Sequence, residues 1–207
     1  MKTFVLCLLA ATLSAADLPK ILYSKSFPRS TPAYAAITLD KEGNATYKEA
    51  TDDDQPLAFK LTPKETGEIF ALADALGRFN RPLESGLKVA QTGVKTFRYE
   101  NGPEKNEVQF NYSLDLDAQR LLDWFERIAE TERRFIELET TAKFDKLGVN
   151  QALLRLEVLR DRNSLVAPEQ FLPLLDRIIK NESYLHMARQ RAASLAEGIR
   201  TPKPESP

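Results

Sequence analysis

From residue 34 the chain alternates in side-chain character: Ala35, Ile37 and Leu39 interleave with Tyr34, Ala36 and Thr38. A period of two turns one face of a strand inward. DKEGN at 40–44 makes a turn in which Gly43 can take positive φ, and 45–50 returns as a second strand. A polar loop, TDDDQP, leads to a short strand at 57–61. Thr62-Pro63-Lys64-Glu65 then has the form of a helix start, with Thr62 as cap, Pro63 in the first helical position and Glu65 closing a capping box. Ile69, Phe70, Ala73 and Leu76 follow at helical spacing, and Gly77 can end the helix.

A second passage follows the same plan. Residues 87–90 and 94–100 read as strand segments around Gly93, Asn101-Gly102-Pro103 turns the chain, and 107–112 returns with Val108, Phe110 and Tyr112 on one face. Ser113 and Asp115 are candidate caps for the helix beyond. FKLT at 59–62 and FNYS at 110–113 hold equivalent places, which suggests two related strand–turn–strand–helix units.

From Leu116 the pattern is helical. Leu121, Trp124, Phe125, Ile128, Phe135, Leu138 and Ala142 share one side of a helix reaching about Lys146, with Trp124 and Phe125 expected to anchor it. Gly148 and Asn150 break the run, and 151–162 resumes it. Pro168 starts the next helix, and Pro173 should kink or delay it because proline has no N–H to donate. A last helix is predicted over 182–198, burying Leu185, Ala188, Ala192, Leu195 and Ile199. The fold class is therefore α+β: an antiparallel sheet with helices on one face, followed by a helical C-terminal layer. The division is a strand-rich region over 17–114, a helical region over 115–200 and a polar, proline-rich tail over 201–207.

Composition changes this picture mainly at the N-terminus. Lys2, an uncharged apolar run over 4–13 and small residues before Ala16-Asp17 have the form of a secretory signal over 1–16 cleaved between those two. The run is well short of the about 20 residues that span a bilayer. Cys7, the one cysteine, lies inside the run, too early to be a lipidated first residue, so it leaves with the signal. The mature chain then has no disulfide and no thiolate chemistry, and at this length it needs neither to build a core. The expected location is periplasmic or secreted, with no membrane span after cleavage. Three N-x-S/T triplets, at Asn44, Asn111 and Asn181, matter only in a eukaryotic host.

Without Lys2 the chain carries 28 basic and 30 acidic residues, so nucleic acid is not an expected partner. His186, the one histidine, is expected to face solvent on the last helix. No G-x-S-x-G, H-E-x-x-H or phosphate-binding glycine loop occurs, and no cofactor is called for. Asp52, Asp53 and Asp54 form the densest acidic run and the one candidate cation loop, although they lack calcium-loop spacing. Phe97 and Tyr99 on one strand, with Phe110 and Tyr112 on the next, are the candidate binding residues: an aromatic patch for a peptide or sugar, or else the core beneath Trp124.

The run PAYAAITLDKEGNATY and the helix opening TPKE resemble small sheet-plus-helix modules of uncharacterised exported bacterial proteins, over residues 30–80. That resemblance implies residence in the envelope and brings no catalytic residues. The sequence thus points to a non-enzymatic exported protein that binds another envelope protein or itself. The alternatives are a carboxylate-dependent hydrolase and a carrier of a small apolar ligand.

Overall fold

The computed structural model describes residues 18–201, so the signal segment, Cys7, the Ala16-Asp17 junction and the tail beyond Thr201 lie outside it. The fold is α+β. Six antiparallel strands, β1 (Lys20–Ser26), β2 (Tyr34–Asp40), β3 (Asn44–Lys48), β4 (Leu57–Lys60), β5 (Val94–Asn101) and β6 (Glu104–Phe110), form one sheet ordered β4-β3-β2-β1-β5-β6. Five helices accompany it: α1 (Pro63–Ala75), α2 (Leu116–Phe144), α3 (Val149–Asp161), α4 (Leu172–Lys180) and α5 (His186–Arg200).

The central strand, β1, was not expected from the sequence. Its inward residues Ile21 and Tyr23 lie opposite Leu39 and Ile37 of β2 and Tyr99 and Phe97 of β5, so it joins the two passages. The expected strand at 87–90 does not form. Leu87 and Val89 are exposed and the segment runs beside β6 without joining the sheet. The two passages are consequently unequal, with four strands before α1 and two before α2. Phe59 and Phe110 still match in position, each the last inward aromatic of an edge strand.

Local chemistry sets the turns. Gly43 has φ of 87°, and a Cβ there would meet the Leu61 carbonyl, so the β2–β3 turn requires glycine. The capping box at Thr62 forms as predicted, with the Thr62 N–H donating to Glu65 Oε2 at 2.8 Å. The other oxygen of Glu65 accepts the Ala167 N–H at 3.1 Å and ties α1 to the 165–171 loop. Asp115, rather than Ser113, caps α2 by accepting the N–H groups of Asp117 and Ala118. Past α1, Arg78 and Phe79 take left-handed backbone angles that drop Phe79 into the core.

Two hydrophobic cores share α2. The first lies between the sheet, α1 and the N-terminal half of α2, and the second joins the C-terminal half to α3, α4 and α5. At the centre of the first core, Phe97 meets the rings of Tyr23, Phe79, Phe110 and Phe125 at 5.1–5.9 Å between centres. Phe125 anchors α2 to the sheet, with Leu121 and Ile128 buried beside it in the same core. Trp124, its neighbour in sequence, points about 100° round the helix, is only partly buried, and carries Arg127 over its ring. In the second core Pro168 opens a single 3-10 turn and Pro173 lies in the first turn of α4. α5 begins at His186, later than predicted, because Tyr184 takes the inward place and bonds the Ala142 carbonyl at 2.8 Å. Leu185 is therefore exposed rather than buried.

Because Phe97 closes the core on four other rings, Phe97→Ala should destabilise the protein by about 4 kcal/mol in urea unfolding. Tyr112→Ala, at an exposed ring, should stay within about 0.5 kcal/mol of wild type.

Candidate functional site

Phe97, Tyr99 and Phe110 are core residues, 0%, 4% and 3% exposed, and only Tyr112, beyond the end of β6, reaches solvent at 40%. Alternation explains this: the face shared by these aromatics is the face that α2 covers. They form no surface platform. Asp52, Asp53 and Asp54 occupy the β3–β4 loop, and Asp53 turns back to accept the Gln55 N–H at 2.9 Å. The described residues hold no group of three potential ligands able to take a metal ion. His186 is exposed in the first turn of α5.

The surface that does gather functional groups is the N-terminal half of α2. Three depressions follow one another along it. The first, about 670 Å³, is a groove against α1 walled by Ala71, Leu72, Leu116 and Trp124, with Glu68, Gln119, Arg120 and Asp123 at its rim. Leu116 is 66% exposed and Leu114, just before the helix, 59%.

Gln119 and Asp123 also border the second depression, about 420 Å³, over the end of the sheet. Here the inward face of the sheet changes from aromatic to cationic. Lys25 and Lys95 stand opposite each other on β1 and β5, one pair beyond Tyr23 and Phe97. Lys25 reaches Glu126 on α2 at 3.0 Å. Lys95 is buried, and its ammonium donates to Thr92 Oγ1 at 2.8 Å, Asn111 O at 2.7 Å and Gly93 O at 3.4 Å. Burial, and then the neighbouring Lys25, lower the pKa of Lys95. With all three protons engaged, Lys95 fastens the end of the 84–93 loop to Asn111, just beyond β6. Asn111 completes the fastening: its side chain accepts the Thr92 N–H and donates to the Ala90 carbonyl, while its own N–H donates to Glu84.

Lys25 and Glu126 separate this cleft from the third depression, about 230 Å³, between α2, the β1–β2 loop and the first three strands. Tyr23 and Tyr47 line it, together with Glu126, Glu130 and Arg133. The residues that build these sites come from distant segments, as Lys25 and Glu126 do at 101 positions apart, and no local motif announces them. The visible signal is Lys25 at the end of an alternating run, where an inward cation requires a partner.

Farther along α2, where the cores meet, two polar side chains are fully buried. Thr131 accepts the Val166 N–H at 3.2 Å. Glu132 accepts one hydrogen bond, from the Gln170 amide at 2.9 Å, and its second oxygen has no partner. Burial pushes its carboxyl up to about 7, against a counteracting pull from Gln170.

No helix among the described residues is long and apolar enough to cross a membrane. No protein-family model matches the chain, and no curated protein matches it.

The raised Glu132 carboxyl fixes a pH dependence. Unfolded chains release this proton near 4.5 and the folded protein near 7, so stability falls as pH rises through that interval. The full change is roughly 3 kcal/mol. Carboxylates with lowered values, Asp40, Glu84 and Asp115, contribute the opposite slope, on the acid side of their ordinary range. Urea unfolding between pH 5 and 8 should show the loss in wild type, and Glu132→Gln should flatten it and be the more stable protein at pH 8.

Proposed function

We propose that this chain is a non-enzymatic exported protein whose work is to bind another protein of the cell envelope, and that the α1–α2 groove is the docking surface. The observation that carries the reading is the groove itself: Leu116 stands exposed beside Trp124 and Leu72, with charges of both signs at the rim and Leu114 exposed just before the helix. An apolar centre with a polar edge is the usual anatomy of a protein interface, and a channel between two helices suits an amphipathic segment laid along it. The occupant on this reading is such a segment of a partner protein. Its apolar side chains meet Leu72, Leu116 and Trp124, and its polar flank meets Glu68, Arg120 and Asp123. Export rests on the signal-like segment over 1–16.

The hydrolase reading has less support. Asp52, Asp53 and Asp54 belong to no group of three potential metal ligands among the described residues. In the cavity beside Tyr23 the two carboxylates are both engaged, Glu126 by Lys25 and Glu130 by Arg133 and Arg134. Acid–base work by such a pair needs one carboxyl free to give up a proton.

The test compares tagged mature protein, residues 17–207, with its Leu116→Asp variant in capture from the envelope fraction of the native host. Leu147→Asp, at an equally exposed leucine far along the chain, serves as control. Wild type and Leu147→Asp should retain the same defined partner, and Leu116→Asp should lose it at unchanged thermal stability. Equal retention by all three, or a wild-type monomer retaining nothing, overturns the reading. A dimer dissolved by Leu116→Asp would replace the foreign partner with a second copy.

A further inference from the structure

The edge of the sheet at β6 is a second surface, apart from the α1–α2 groove. β4, the opposite edge, is four residues long, and a strand that short offers little for another to pair with. β6 runs for seven residues and pairs with β5 in one unbroken register, without a bulge. Two observations fix which way its backbone points. Asn101 and Glu104 close the hairpin across two residues, so they are a hydrogen-bonded pair, and such pairs alternate along the ladder. Lys105, Glu107 and Gln109 therefore turn their N–H and C=O groups away from β5. The N–H of Asn111, next in that series, does point away, to Glu84 at 2.6 Å. Ser85 covers the edge there as well, donating to the Tyr112 carbonyl at 2.8 Å. Over 105–109 there is no such cover. Among the described residues these backbone groups have no partner outside the ladder, and a depression of about 570 Å³, backed by residues 79–84, lies along them.

The side chains select what pairs there. Lys105, Glu107 and Gln109 stand exposed on the face of the sheet away from α2. On that face the sign of charge alternates from strand to strand: Lys20, Glu100 and Lys105 lie in one row, Arg98 and Glu107 in the next. Continued outward, the rows call for an acid opposite Lys105 and a base opposite Glu107. An antiparallel strand meets both with a base and an acid two residues apart, in that order, and Lys105-Asn106-Glu107 is such a sequence. We infer that two copies of this chain join edge to edge through β6, antiparallel across a two-fold axis at Asn106, with each Lys105 facing the partner's Glu107. The axis makes every contact twice. Lys105 and the partner's Glu107 exchange both backbone bonds, since both turn those groups outward. Centring the pairing on Lys105 or on Glu107 instead would set like charges opposite each other, which is destabilising. Charge on an edge strand commonly resists pairing. Here opposite signs two residues apart make β6 complementary to itself.

The experiment is analytical sedimentation of the mature chain, residues 17–207, over a concentration series. Wild type should pass from monomer to dimer. Lys105→Glu and Glu107→Lys should each weaken the dimer at least about tenfold, because both cross-strand pairs change from attraction to repulsion. An equimolar mixture of the two variants should restore it, since the mixed dimer has opposite charges at both pairs. Lys180→Glu, the same charge change at an exposed position on α4, should dimerise as wild type does. Amide hydrogen exchange at Lys105 and Glu107 should slow as the dimer forms. A wild type that stays monomeric throughout, a dimer indifferent to both single changes, unprotected amides in the dimer, or a mixture that stays monomeric overturns the inference. So does a dimer lost in Leu116→Asp and kept in Lys105→Glu, which would belong to the groove instead.

Discussion

Four aromatic rings packed around Phe97 decide where everything else in this protein can lie. Tyr23 brings the central strand, Phe110 the edge strand, Phe79 the turn after α1 and Phe125 the long helix, all to one point beneath the sheet. Rings this large, fully removed from water, contribute burial and oriented ring contacts together, and they leave little freedom in how the elements meet. Once Phe125 is stacked on Tyr23, the rotation of α2 is fixed. Trp124 then faces outward over the groove, and Glu126 and Glu130 face the end of the sheet where Lys25 waits.

That fixed helix must also serve a second core. Its C-terminal half is clothed by α3, α4 and α5, while its N-terminal half is clothed by the sheet on one side and left open on the other. The joint between the halves is polar although it is buried. Thr131 and Glu132 hold the 165–171 loop, and Glu65 holds the same loop from α1. A half-satisfied carboxylate at such a place costs stability, and hydrogen bonding to the loop is what it gives in return. These bonds tie α1 and the middle of α2 to one segment, 166–170, just past the half of α2 that presents the groove and the two polar clefts.

Much of the scaffold was legible in the sequence. Alternation over 34–39, the turn at Gly43, the capping box at Thr62 and the break at Gly148 are local signals, and each feature formed where its chemistry placed it. The central strand was not legible, because KILYSKS offers only two inward apolar residues before Lys25, and its neighbours come from residues 34–40 and 94–101. The site was less legible still. Asp52, Asp53 and Asp54 are concentrated in sequence but not convergent in space, whereas Tyr23, Lys25, Lys95 and Glu126 are scattered in sequence and gathered by the sheet. The aromatic pairs do lie on one face, yet periodicity gives a face without saying whether water or a helix covers it.

The central claim is that the open side of the first half of α2 is where this protein meets its partner. Photo-crosslinking tests that contact directly. A photoreactive residue would replace Leu116 and, in a separate protein, Val158 on the exposed side of α3, each produced in the native host and irradiated in intact cells. A discrete adduct at position 116, and none at position 158, is the predicted result. Adducts at 158 alone, or at neither position, would contradict the account.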